Sequence, residues 1–319
     1  MHSPSEIHFD HLIDPLDSTT FFSEYFEKKP LVIKRENSSF FSSLLQLQDV
    51  DKILYMDDIL NRANMRMVKE GKPVPVQQYI QVEKMRNVEV KSKVLTKEVN
   101  RLFKEEKATF ILEQIKELWP AISRLLLSIN DTFHCTSNAN VYITPPDACG
   151  FDVHYDSHDV FVLQIAGAKH WKVYSNPYIL PLGIHNAVPF DVDSLELLYD
   201  VELEAGDTLY MPRGFVHEAA TSADMSAHIT AGVYNTTLAK ILSDYVVSLA
   251  ASESLLRRSV LSLIHKGIPE NELIDSIRKL LLDNLSIDIL NRNIKQTRPT
   301  PLTDQQKTLF AAPSQSQTN

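Results

Sequence analysis

Two hydrophobic periods divide the chain. Between about residues 136 and 236, apolar and polar positions alternate in the short runs NANVYITPP, HDVFVLQIAG, KHWKVYS, LLYDVELEAGD, TLYMPR and SAHITAGVYN, separated by Gly, Pro, Asp and Ser. A period of two belongs to a strand whose faces meet different surroundings, and many such strands close together predict a sandwich or barrel. After Thr237 the period lengthens. Leu238, Ile241, Leu242, Tyr245, Val246 and Leu249 recur at helical spacing, Gly267 and Pro269 punctuate the chain, and ENELIDSIRKLLLDNL predicts a second amphipathic helix.

The first third is mixed. STTFFSEYFEKK predicts a short helix with Ser18 as its N-cap, PLVIKR a strand opened by Pro30, MDDILNRAN a helix, and VPVQQYIQVEK an alternating strand. ATFILEQIKELWPAISRLLLSIND starts as a strand and becomes a helix with Ile115, Leu118, Ile122, Leu125 and Leu126 near one face and Pro120 as an internal kink. The expected organisation is an α/β segment over residues 1–107, a barrel core with a leading helix over 108–237, a helical segment over 238–295, and a disordered Pro-rich tail over 296–319.

Composition narrows the function classes. The 319 residues are 44% hydrophobic and 23% charged, a globular profile. A net charge of −9 argues against direct binding of nucleic acid, which needs concentrated Lys and Arg, but is compatible with a local acidic pocket for a basic substrate. Cys135 and Cys149 are the only cysteines, too few for a disulfide framework or a thiolate zinc site, and Cys149 reads as a small buried thiol. The N-terminus lacks a signal-peptide pattern and no apolar run approaches a membrane span, so a cytoplasmic protein is expected.

The chemistry concentrates in CGFDVHYDSHDVFVLQIAGAKHWKVY, Cys149 to Tyr174. One reading is an ordinary hairpin with solvated polar residues, the usual fate of a His-x-Asp pair. The other is a metal site. On a strand, His154 and Asp156 at i and i+2 project to one face, and the turn in LEAGDTLYMPRGFVHEA delivers His217 as a third ligand. Two histidines and a carboxylate make the facial triad of non-haem Fe(II) oxygenases, with positions left open; zinc suits the same ligands. His158 and His170 are expected to be structural or exposed groups, and parity places Asn138 and Asn140 on the face of Tyr142. Trp171 reads as core.

The spacing G-x5-P-x4-H over Gly206, Pro212 and His217 resembles the second cupin motif. HYDSHDVFVLQIAGAKHWKVY resembles the JmjC-type cupins and, within them, the ribosomal-oxygenase family of protein hydroxylases; EYFEKKPLVIKR resembles that family's entry segment. The resemblance implies a double-stranded β-helix with α/β elements before it, Fe(II) as metal, 2-oxoglutarate and O2 as co-substrates, and hydroxylation of a protein side chain. It implies His154, Asp156 and His217 as metal ligands, Lys169, fifteen positions after the first histidine, as partner of the distal carboxylate of 2-oxoglutarate, and Tyr142, twelve before it, as a co-substrate hydroxyl. Where some members carry a serine on the last strand this chain has Gly232, and Thr230 stands in for it as a cofactor-binding residue. The helices after Thr237 occupy the place of the family's dimerisation region, so a homodimer is expected, with a winged-helix domain absent or reduced.

Three functions stay open at this point. The first is hydroxylation of an Arg or His in a ribosomal protein. The second is the same chemistry on a small precursor peptide, and the third is a cupin that binds metal without oxidation, as isomerase or scaffold.

Overall fold

The structure, a computed structural model, describes residues 6–284 apart from positions 57–58, 63, 86–87, 187, 260 and 262–268. The strands are β1 (Leu31–Ile33), β2 (Asn64–Lys69), β3 (Lys72–Pro73), β4 (Ile80–Met85), β5 (Val88–Val94), β6 (Thr109–Glu113), β7 (Thr136–Thr144), β8 (Asp159–Ala166), β9 (Ala168–Tyr174), β10 (Leu197–Glu204), β11 (Thr208–Met211), β12 (His217–Ala220) and β13 (Ser226–Tyr234). The helices are α1 (Phe9–Ile13), α2 (Ser18–Glu24), α3 (Leu47–Leu54), α4 (Ile59–Arg62), α5 (Thr96–Lys104), α6 (Pro120–Phe133), α7 (Leu238–Ser252) and α8 (Glu270–Asn284). They form two compact units, residues 1–235 and 236–319. Among the described residues, no helix is long and apolar enough to cross a membrane.

In the first unit, eight strands pair in the order β1-β11-β8-β13-β7-β6-β2-β3, and three more in the order β10-β9-β12. The pairings that build both sheets are antiparallel. This is the two-sheet arrangement of a double-stranded β-helix, with strands from the N-terminal segment extending the larger sheet.

Period two explains how the larger sheet serves two layers. Along β7, Ala139, Val141 and Ile143 join a core that includes Phe9 and Leu12 of α1, Phe21 of α2, and Ile122, Leu125 and Ile129 of α6. Phe161 and Leu163 of β8, and Ala227, Ile229, Ala231 and Val233 of β13, enter the same core. The alternate residues turn the other way. Val160 and Val162 pack with Trp171 and Val173 of β9, Leu203 of β10, Leu209 and Met211 of β11, and Phe215, in a second, smaller cluster between the sheets. Consecutive strands β8 and β9 lie in different sheets and are joined by Gly167 alone. Its φ is +61° and a Cβ there would lie 1.8 Å from the Met225 carbonyl oxygen, so a side chain cannot be accommodated.

Local chemistry departs from expectation in three places. Asp17, not Ser18, caps α2, its carboxylate accepting from the Thr20 amide at 2.9 Å. Pro120 opens α6 instead of kinking it: its missing N–H falls where a helix has no acceptor to lose, and Ile115 and Leu118 belong to the 3-10 turn and its end ahead of it. VPVQQYIQVEK is split, with Val76–Gln78 a 3-10 turn and β4 starting at Ile80. Gly267 and the tail over 296–319 lie outside the described residues.

Arg35 fastens the N-terminal elements to the larger sheet. Its Nη1 donates to the Gly206 carbonyl at 2.9 Å and to Thr208 Oγ1 at 2.8 Å, while Nη2 donates to the carbonyls of His11 and Leu12, both at 3.1 Å, and of Asp14 at 2.9 Å. Burial lowers the guanidinium to about 10, which leaves it charged at neutral pH. Arg35→Ala strands these acceptors and is expected to cost about 2–4 kcal/mol in urea unfolding of the metal-free protein. Arg35→Lys recovers only part of the loss, because an ammonium cannot reproduce the planar fork.

Candidate metal centre

Between the sheets lies a cavity of about 340 Å³. Its lining includes Asn138, Asn140 and Tyr142 from β7, His228 and Thr230 from β13, and Lys169 from β9. At one side His154, Asp156 and His217 bring one ligand atom each within 4.8 Å of one another, a candidate metal-holding group among the described residues.

The backbone that gathers them is not a regular strand, as the sequence pattern predicts. β8 begins at Asp159; His154 instead forms an isolated bridge with His217. The His217 amide donates to the His154 carbonyl at 2.8 Å, and the reverse bond is 3.1 Å. One residue pair of antiparallel ladder thus places two ligands side by side, with imidazole centroids 4.5 Å apart. The Gly214 amide donates to the Asp156 carbonyl at 2.9 Å and carries the third ligand to them. Gly214 has φ +93°, and a Cβ would lie 2.3 Å from the Tyr178 carbonyl oxygen. Glycine is required for that turn.

Hydrogen bonding fixes the tautomer of both imidazoles. His154 Nδ1 lies 2.7 Å from the Asp152 carbonyl oxygen and His217 Nδ1 3.1 Å from that of Phe215. A carbonyl can only accept, so each Nδ1 carries a proton, and it is Nε2 that is left to offer a lone pair from the neutral ring. A backbone carbonyl that accepts from the far ring nitrogen is a usual outer partner of a metal-ligating imidazole. His217 Nε2 stands 3.8 Å from Asp156 Oδ2, too long for a hydrogen bond and suited to two ligands of one ion. Burial, helped by the neighbouring His154, lowers His217 to about 4 and keeps it neutral, whereas Asp156 opposes the shift. Two neutral imidazoles and a carboxylate fit a divalent iron or zinc ion.

Lys169 occupies another part of the cavity. Its side chain enters with Trp171 and Val173 from the buried face of β9, and it is 5% exposed. The ammonium donates to Thr144 Oγ1 at 3.1 Å, and the described residues give it no carboxylate partner. Burial lowers it to about 8. His228 is stacked on Tyr142 at 4.9 Å; burial, reinforced by Lys169, holds it well below its ordinary value. Tyr142 is pushed upward by burial and keeps its phenolic proton.

All six site residues expected from the sequence, Tyr142, His154, Asp156, Lys169, His217 and Thr230, line this one cavity, as do Asn138 and Asn140. His158 is a correction. Four residues after His154, its ring also reaches the cavity and stacks on Tyr234 at 4.7 Å. That ring explains Gly232: a Cβ there would lie 2.9 Å from His158 Cδ2, so a serine would displace the stacked imidazole. Cys149 is exposed, not buried, since it sits in a loop that meets the sheet through an isolated bridge to Ala220. Trp171 is buried as expected but also lines the cavity, and His170 lies at the surface against Asp200 at 2.5 Å.

Arg66, Phe151 and Tyr234 also line the cavity without having been singled out in the sequence. Arg66 arrives through the register Arg66–Ile111–Tyr142 across β2, β6 and β7, which no local pattern encodes. Tyr234 shared the alternation of β13 and was legible there.

Residues 115–241 match the family model described as JmjC domain. The chain is 30% identical over 289 residues to the bifunctional lysine-specific demethylase and histidyl-hydroxylase NO66 of Aedes aegypti, covering 87% of this chain and 44% of that protein. It is 34% identical over 230 residues to ribosomal oxygenase 1 of Danio rerio, covering 71% and 40%. It thus spans less than half the length of these relatives. The structure of YcfD, a ribosomal oxygenase from Escherichia coli in complex with cobalt and 2-oxoglutarate, superposes with a TM-score of 0.55 at 14% identity, covering 90% of this chain and 75% of that one. The fold is shared at a sequence identity too low to carry more than the fold. With the match over residues 115–241 and the two-sheet architecture around it, the chain belongs among the JmjC-domain proteins of cupin fold related to the ribosomal oxygenases.

Proposed function

We propose that this protein is an Fe(II)- and 2-oxoglutarate-dependent oxygenase that hydroxylates a side chain of a protein, with a ribosomal protein as the favoured substrate. The observation that carries this reading is Lys169. A buried ammonium without a carboxylate is costly, and its depression from 10.5 to about 8 corresponds to about 3 kcal/mol against the charged form. A dicarboxylate held at the three-ligand cluster by one end supplies the missing anion with the other. A cupin that only bound metal would have no use for this cation.

In this reading His154, Asp156 and His217 hold the metal and leave positions open for the co-substrate. Iron bound there with 2-oxoglutarate supplies the activation of O2 coupled to decarboxylation of the co-substrate. The chain's own residues do the positioning. Lys169 Nζ meets the distal carboxylate, Tyr142 donates its hydroxyl without adding charge, Thr230 offers a hydroxyl on the facing strand, and His228 stays neutral so that no second cation competes. Val160, Val162, Trp171 and Met211 keep the surroundings apolar, which strengthens the ion pair. The ribosomal substrate is supported by the names of the relatives, with an Arg or His side chain as the target. A homodimer and a cytoplasmic setting belong to the same reading; α7 carries a second apolar row, Leu238, Leu242 and Val246, beside the buried Ile241, Tyr245 and Leu249.

Anaerobic titration of the Fe(II)-loaded protein with 2-oxoglutarate should give a visible metal-to-ligand charge-transfer band. Lys169→Ala is expected to raise the 2-oxoglutarate Kd by about 30-fold or more, equivalent to 2 kcal/mol or above, and His154→Ala to abolish the band. No band at saturating iron would return the metal-binding cupin as the better reading.

The pH dependence follows from the lowered lysine. Below about 8 the free site is charged and binds the dicarboxylate fully. Above it, each pH unit costs a proton uptake on binding, so affinity falls about tenfold per unit until the pKa of the complex is reached. A 2-oxoglutarate Kd that is flat between pH 7 and 9.5 would contradict the assignment of Lys169.

Incubation of unmodified ribosomes with the loaded protein should add one oxygen, about 16 Da, to a single ribosomal protein, read by intact-mass spectrometry. 2-Oxoglutarate turnover that no ribosomal protein stimulates, alongside modification of a short peptide, would move the substrate to the small-peptide class.

A further inference from the structure

The candidate metal ligands do not account for a buried ion pair next to them in the chain, Asp159 with Arg213. Asp159 is 0% exposed, begins β8 and follows Asp156 by three residues. Arg213 lies in the turn that leads to His217, with a side chain 7% exposed. Asp159 Oδ1 accepts from the Arg213 amide at 3.0 Å and from its Nη1 at 3.2 Å. Oδ2 accepts from the Tyr210 hydroxyl at 3.2 Å and from Asn235 Nδ2 at 2.8 Å. One carboxylate therefore collects donors from β11, from the ligand-bearing turn and from the end of β13. On its outer side Arg213 Nη2 meets Glu27 at 2.6 Å, and the Glu27 amide donates to the Tyr210 hydroxyl at 3.3 Å.

We propose that Asp159, through Arg213, is a positioning residue that sets the separation between His217 and the His154–Asp156 pair; this rests on the metal-centre reading above. The argument is geometric. Residues 155–158 lie outside any regular strand, so the segment carrying Asp156 has no ladder to hold it. Its attachments to the His217 turn are the backbone pair of His154 with His217, the Gly214 amide on the Asp156 carbonyl, and the Asp159–Arg213 pair. The first two fix the height of the segment. The last fixes the path of the turn from both its main chain and its side chain, since amide and guanidinium of one residue grip one oxygen. A buried ion pair contributes little net stability relative to an apolar pair of the same volume, so its worth here lies in the fixed distance.

Co(II) is the probe, on the full-length metal-free protein, with visible d–d bands and a dissociation constant as readouts. Asp159→Asn keeps the shape and loses the charge. It is expected to raise the Co(II) Kd about 10- to 100-fold, in the range found when outer partners of metal ligands are removed, and to change the band positions and intensities. Arg213→Lys retains the charge without the fork and should fall between wild type and Asp159→Asn. Arg35→Ala serves as the control for stability alone: it lowers the unfolding midpoint but should leave the Co(II) bands in place. If Asp159→Asn does not fold by circular dichroism, Glu27→Gln, which loosens only the outer grip on Arg213, is read instead and should move Kd in the same direction by less.

Unchanged Kd and bands in the folded variants would reduce the cluster to a structural pair and overturn the proposal. A wild-type protein that binds no Co(II) would remove the metal reading and this inference together, whereas a binding wild type with unmoved variants removes the clamp alone.

Discussion

Strands covered on both faces must find an apolar or hydrogen-bonded partner for every side chain, and the larger sheet lives under that constraint. Its helix-facing positions meet it with Ala139, Val141, Phe161, Leu163, Ile229 and Ala231. Its inner positions on β7 and β13 do not. Asn138, Asn140, Tyr142, His228 and Thr230 put polar groups where desolvation is costly, and Lys169 answers them from the smaller sheet. Two of their atoms, Asn138 Oδ1 and His228 Nδ1, are buried without a hydrogen bond. Polar groups left unsatisfied in a cavity are sensible only where something else completes them, and this concentration is what separates the inner layer from a packed core.

The electrostatics follow the same logic. Burial drives His217 and His228 to their neutral forms and depresses Lys169, all in the direction that removes charge from the cavity. For an imidazole this creates a ligand or a neutral wall. For the lysine it creates an ammonium that is poised between states until an anion arrives. The same physical term, acting on different side chains, yields different roles within one cavity.

Much of this was legible in the sequence because it is periodic. The alternation of NANVYITPP shows which of its residues share a face, so Asn138, Asn140 and Tyr142 could be placed together from the sequence, whereas Thr230 was reached through the resemblance. The three residues of the candidate metal cluster were found by residue type and by resemblance, while the reason they converge was not: His154 meets His217 through an isolated bridge ahead of β8, and residues 155–158 follow no strand. Arg66 was beyond reach for another reason. Its neighbours are set by the register of β2 on β6 and of β6 on β7, a long-range pairing that leaves no local trace. Pro120 shows the remaining kind of error, where one residue type both breaks a helix interior and starts a helix, and only the surrounding chain decides.

The one-residue link at Gly167 separates what this scaffold can vary from what it cannot. β8, just after the metal-ligand segment, and β9, which carries Lys169, are tied with no slack, because Gly167 lies against the Met225 carbonyl. The connection from β9 to β10, residues 175–196, contains two 3-10 turns and exposed Ile179 and Ile184. Insertions and deletions can accumulate in that second connection without altering the span between the ligand cluster and the lysine. The surface near that connection is thereby free to change shape while the distance from the cluster to the buried ammonium keeps one length.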